Sequence, residues 1–148
     1  MRALRGNEEG STLPLTIFYG FLSLVLILIV VSATSLYLER KRLFTLADGA
    51  ALAGAEGFSL DSVTRSSGGL EAHLQPADVA SAVTGYLGTA ASEASAGFDE
   101  LSVVEAGSPD GRSATVTLAA TWHPPVLVIL VPDGVRIEVT AVARSVFR

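Results

Sequence analysis

The side chains best suited to chemistry are two histidines, His73 and His123, a scatter of serines, and the carboxylates Asp99, Glu100 and Asp110. An imidazole can move a proton or hold a metal, but a metal site needs further ligands at matching spacing. Neither histidine has a second histidine or a carboxylate at such spacing along the chain, and His123 precedes Pro-Pro. Both read as solvated or capping side chains. No serine lies in the strand-turn-helix elbow G-x-S-x-G. The stretches "GTAASEASAG" and "SSGG" lack the glycine-lysine arrangement that cradles phosphate. Asp99, Glu100 and Asp110 read as turn or strand-edge carboxylates, and acid–base work would require them to be buried as a pair. With no cysteine, disulfides and thiolate chemistry are excluded. The residues therefore point away from an enzyme, a cofactor, a metal or a small-molecule substrate.

The elements that would carry those residues are clearer. From Leu13 to Leu38, "LPLTIFYGFLSLVLILIVVSATSLYL", 26 positions carry no charge. About 20 apolar residues suffice to cross a bilayer as a helix, so 13–38 reads as a transmembrane helix. A cleaved secretory signal ending near Ala33 is the competing reading, but signal cores run about 7–15 residues. Ser11 or Thr12 can cap the helix, and Pro14 falls in its first turn, where a missing N–H costs little. Tyr37 and the basic cluster Arg40, Lys41 and Arg42 are expected as anchors at the lipid–water interface.

No strong breaker follows until Gly57, so the helix should continue over 39–57 as a stalk. There Leu43, Leu46, Ala47, Ala50, Ala53 and Gly54 recur at three- and four-residue spacing, the period of one helix face. Small side chains on such a face admit another backbone closely. Either the chain's own domain or a partner helix could occupy it. If a partner does, Ala50→Leu or Gly54→Leu should impair assembly and leave the domain folded.

Residues 58–75 are expected to be a linker, with "SLDSVTRSSGG" read as loop or hinge. A small domain should occupy 76–148. It opens with a helix over 76–96, whose apolar stripe is Val79, Val83, Tyr86, Leu87, Ala90 and Ala94, with Gly97 as its stop. The period then becomes two. "LSVVE" at 101–105 reads as a short strand and "SPDG" at 108–111 as a type I turn. In "RSATVTLAATW" one face carries Ala114, Val116, Leu118, Ala120 and Trp122, and "VRIEVTAVA" at 135–143 repeats the alternation. The fold class expected is α+β: a long N-terminal helix, then one helix laid across a three-stranded antiparallel sheet. The apolar run Val126–Val131 between the long strands could be a buried segment, a lipid-touching loop or a subunit contact.

Beyond the basic cluster, residues 43–148 hold five Arg against twelve Asp or Glu, a balance of −7. Such a domain is a poor partner for nucleic acid.

The chain resembles the TadE/TadG-like proteins of bacterial tight-adherence (Flp-type) pilus assembly. The residues that carry the resemblance are "RGNEEGSTLPLTIFYGF", "YLERKRLFTLADGAALAGAEGF" and the closing "VRIEVTAVARS". The resemblance implies a minor-pilin-like or pseudopilin-like subunit in the bacterial cell membrane. It would be single-pass, with residues 1–12 in the cytoplasm and the 76–148 domain exported. Its N-terminal helix would pack on other pilus subunits or assembly-platform proteins. Pseudopilins of this group are cut by a prepilin peptidase after a glycine, with Glu at the fifth mature position. Here Gly10 and Ser11 would flank the cut and Leu15 would stand in the glutamate's place, so the expectation is an uncleaved chain. Basic residues near membrane ends favour the cytoplasm. Arg2, Arg5 and the terminal amine on one side match Arg40, Lys41 and Arg42 on the other, and only the resemblance places the N-terminus inside. A membrane-anchored extracytoplasmic binding or sensing domain unrelated to pili is the alternative from another class.

Overall fold

The structure is a computed structural model that describes residues 12–57, 63–66, 69–90, 98–124 and 132–144. Its elements are helix α1 (Thr12–Glu56), strands β1 (Val63–Ser66) and β2 (Gly69–Ala72), helix α2 (Pro76–Ala90), and strands β3 (Asp99–Gly107), β4 (Ser113–Trp122) and β5 (Val135–Arg144). The class is α+β, with β3, β4 and β5 forming an antiparallel sheet in that order.

α1 is one unbroken helix of 45 residues, about 67 Å at 1.5 Å per residue. Its two halves meet different surroundings. From Thr12 to Val31 no residue is buried. From Leu43 onward a stripe of Leu43, Leu46, Ala47, Ala50, Ala51, Gly54 and Ala55 is buried. That stripe lies on β4 and β5 and beside α2, and α2 in turn reaches β3. The sheet is thus covered by two helices. The expected α2 across the sheet is present, and of the two covers left open for the small-residue face, the chain's own domain is the one in place: the last turns of α1 belong to the core. The alanines explain why, since small side chains let a helix lie close to a sheet and a second helix at once.

The core joins that stripe to Leu74, Val79, Val83 and Leu87 from the α2 side and to Ala114, Val116, Leu118, Ala120, Val139 and Ala141 from the sheet. β4 is the central strand, and its inward residues are the ones the two-residue alternation singles out. β4 pairs with β5 in unbroken register from Ser113↔Arg144 to Trp122↔Val135. β3 is less regular. Its register against β4 shifts between Asp99 and Ser102 and again between Val103 and Glu105, and Glu100 takes a positive φ of 54° at the first irregularity. An extra residue there re-aims side chains, as bulges do.

One difference from the sequence reading lies before the sheet. β1 and β2 pair antiparallel, Val63↔Ala72 to Ser66↔Gly69, inside the expected 58–75 linker, with β1 in the 59–69 stretch read as loop or hinge and β2 running on from its end. Serine and glycine dominate those strands' neighbourhood, and four-residue strands offer too few positions for a period to show. α2 is described from Pro76 to Ala90, and its expected continuation over 91–96 lies outside the described residues. Ala94, the expected stop Gly97, and Val126–Val131 all lie outside the described residues.

The turns at the two ends of β4 share Pro-Asp-Gly. Gly111 and Gly134 have φ of +69° and +68°, the left-handed region that glycine enters without strain. At Gly111 an added Cβ would strike the His73 ring, and the Gly111 carbonyl accepts the Leu74 N–H at 2.9 Å. This contact ties the start of α2 to the β3–β4 turn. Asp110 holds the turn from within. Its carboxylate accepts the Arg112 N–H at 2.9 Å, the Ser113 N–H at 2.6 Å and the Ser113 hydroxyl at 2.9 Å. Those donors, the Arg112 N–H first, lower its pKa to about 2, because they favour the charged form.

Candidate assembly helix

The site the sequence nominates is a helix rather than a cleft, and the structure divides it in three. The first part, 12–31, is apolar and largely exposed, with Ile17, Phe21 and Leu26 each more than three-fifths accessible and Val25 and Leu28 half-buried. An all-round apolar helix has no stripe to bury against one neighbour and calls for an apolar surround. Length and composition suit a membrane span. Gly10 and Ser11 precede this part and lie outside the described residues.

The second part holds the expected interface anchors. Tyr37, Arg40, Lys41 and Arg42 are all exposed on α1, and Arg42 pairs with Glu39 at 3.5 Å one turn back. An exposed pair of this kind adds little stability. Its use is to keep polar groups on the helix where the apolar run ends.

The third part is the small-residue face. Leu43, Leu46, Ala47, Ala50 and Gly54 are buried and Ala53 is half-buried. Their neighbours are the chain's own α2 and sheet. A Cβ on Gly54 would lie 3.0 Å from Val79 Cγ1 and 3.3 Å from both Ala114 Cβ and Val83 Cγ2. One on Gly49 would strike the Tyr86 hydroxyl, and one on Gly57 would come within 2.6 Å of Ala82 Cβ. In this fold the face is filled from within. What α1 leaves open beyond the apolar run is its opposite side, where Phe44 and Leu52 are exposed.

One polar cluster was not legible as such in the sequence. At the end of the sheet where β4 meets β5, Asp99, Glu100, Thr121, His123 and Asp133 line an open concavity. His123 Nδ1 stands 3.2 Å from Asp99 Oδ2, and the Thr121 hydroxyl donates to Glu100 at 2.9 Å. His123 therefore has a carboxylate partner that sequence spacing conceals. The signal was the antiparallel pairing itself, which sets Asp99 opposite Thr121, two residues from His123. Among the described residues no group of three or more His, Cys, Asp or Glu could hold a metal ion. His73 is exposed beside Gly111 and far in the fold from this cluster.

Comparison with known proteins bears on α1. Residues 10–57 match the family described as "Putative Flp pilus-assembly TadE/G-like". The match ends where α1 ends, and it takes in both the apolar run and the turns that enter the core. No curated protein and no solved structure shows significant similarity to the chain.

Proposed function

We propose that the chain is a structural or assembly subunit of a bacterial tight-adherence (Flp-type) pilus or its secretion apparatus, minor-pilin-like in role. The observation that carries this reading is the family match over 10–57, on the one helix whose apolar half is left largely exposed. That exposure supports a membrane span over about 13–38, from which helices of other pilus subunits or of the assembly platform can be met. Residues 1–12 form a short cytoplasmic tail that stays uncleaved at Gly10–Ser11, since Leu15 stands where a processing site carries Glu. Tyr37, Arg40, Lys41 and Arg42 mark the far interface. Deleting the gene in the bacterium that makes the protein is expected to abolish surface pili, with return on complementation. Unchanged pili would overturn this reading and favour the binding or sensing alternative.

The orientation is a separate prediction. Charge is evenly matched across the span, three basic groups on either side, and acidic residues count little in this balance. The pilus reading sets the N-terminus inside and the domain outside the cytoplasm. The −7 balance of residues 43–148 suits an exported surface. A reporter active only after export, fused after Arg148, should give signal, and a cytoplasm-only reporter should stay silent. The reverse pattern would defeat both the orientation and the pilus reading.

A further inference from the structure

α1 serves as a ruler for where the domain sits relative to a bilayer, because it is unbroken from Thr12 to Glu56. The first charged residue after the apolar run is Glu39. A hydrocarbon core takes about 20 helical residues, so a span beginning at Leu13 fills it by about Ser32. Residues 33–38 then lie at the level of the head groups. The domain reaches down to this level. The Trp122 indole N–H donates to Ser35 Oγ at 3.3 Å, four residues or about 6 Å of helix rise on the membrane side of Glu39. Ser32, almost a turn lower still, is already only 7% exposed. Helix tilt does not alter this relation, since Trp122 is bonded to the helix itself.

Other side chains at this end agree. Trp122 pairs across the ladder with Val135, which is 42% exposed. Tyr37 projects from α1 nearby in height and is 65% exposed. Tyr37, with an apolar body and one polar handle, is the residue type that favours the lipid–water boundary, whereas Trp122 is only 9% exposed and marks the height of this end from inside the protein. The carboxylates of this end, Asp99, Glu100 and Asp133, line the concavity with His123 and make a zwitterionic surface a better match than an anionic one.

We propose that the Trp122–Val135 end of the sheet rests in the head-group layer, so that the domain stands on the lipid surface instead of on a free stalk. This rests on the reading of α1 as the membrane-spanning element.

Trp122 is the chain's one tryptophan, so its emission reports its depth without any substitution. The full chain would be reconstituted in phosphatidylcholine vesicles, floated to establish insertion, and mixed with phosphatidylcholine spin-labelled near the head group. The floated protein is expected to lose most of its tryptophan emission. The double variant Trp122→Phe/Val142→Trp is expected to keep its emission. Val142 is exposed on β5 seven residues from Val135, roughly 23 Å along the strand. Should Trp122→Phe unfold the sheet, Val142→Trp alone is expected to lose only the Trp122 share. A floated wild-type chain with undiminished emission overturns the proposal while leaving the span intact. Equal quenching at both positions overturns it too, since the domain would then lie flat. A chain that does not float overturns the span and the proposal together.

Discussion

A chain shortened to begin at residue 58 is expected to remain unfolded, whereas one beginning at residue 39 is expected to fold. The difference is the last turns of α1, which deliver Leu43, Leu46, Ala47, Ala50, Ala51 and Ala55 to the core. Burying a leucine contributes about 1.5–3 kcal/mol, so Leu43 and Leu46 alone supply on the order of 3–6 kcal/mol. A small domain's net stability is about 5–15 kcal/mol. Removing them would also bare the inner face of β4 and β5, where Ala114, Val116 and Leu118 are fully buried. Starting at residue 39 instead forfeits the Trp122–Ser35 hydrogen bond, worth about 1 kcal/mol. Circular dichroism and denaturant titration of the two fragments decide the matter. A cooperative unfolding transition in the 58–148 fragment would show that α2 and the sheet are sufficient, and that α1 only rests on them.

That boundary shows what a sequence of this kind discloses and what it withholds. The apolar run, its charged end and the three- and four-residue spacing after it are local signals, and α1 follows from them as one helix. The alternation of Ala114, Val116, Leu118, Ala120 and Trp122 is local too, and β4 lies as it requires, with β5 in register beside it. A helix face, by contrast, states only that something must cover it. Whether the cover is α2 or a foreign helix depends on contacts between residues 43–55 and residues 79–141, and periodicity carries no such information. Trp122 and Ser35 are 87 positions apart, and no local pattern joins them. The hairpin β1–β2 was hidden for a different reason. Its strands are four residues long and sit among serine and glycine, where loop composition outweighs any strand signal. His123 and Asp99 meet through the antiparallel pairing of β3 with β4, which no spacing along the chain discloses.

Gly54→Leu and Ala50→Leu are expected to destabilise the domain itself, ahead of any effect on assembly. Both positions are buried among the chain's own elements, with Ala50 wholly inaccessible. At Gly54 the first carbon of a side chain already comes to 3.0 Å from Val79 Cγ1, and leucine adds three more carbons along that line. Such overpacking typically costs about 1–3 kcal/mol and sometimes more. Replacing a helical glycine returns up to about 1 kcal/mol of helix propensity, which only partly offsets the clash. Gly54→Ala should therefore sit near neutral, because one methyl needs its neighbours to yield by only a few tenths of an ångström. Leu52 is 54% exposed on the other side of α1, and Leu52→Ala should leave the unfolding midpoint close to wild type. Denaturant titration of the detergent-solubilised chain, followed by Trp122 emission, orders these variants directly. If Gly54→Leu keeps the wild-type midpoint while complexes with partner proteins are lost, the face belongs to a partner helix, and its burial within the chain is not what the small residues serve.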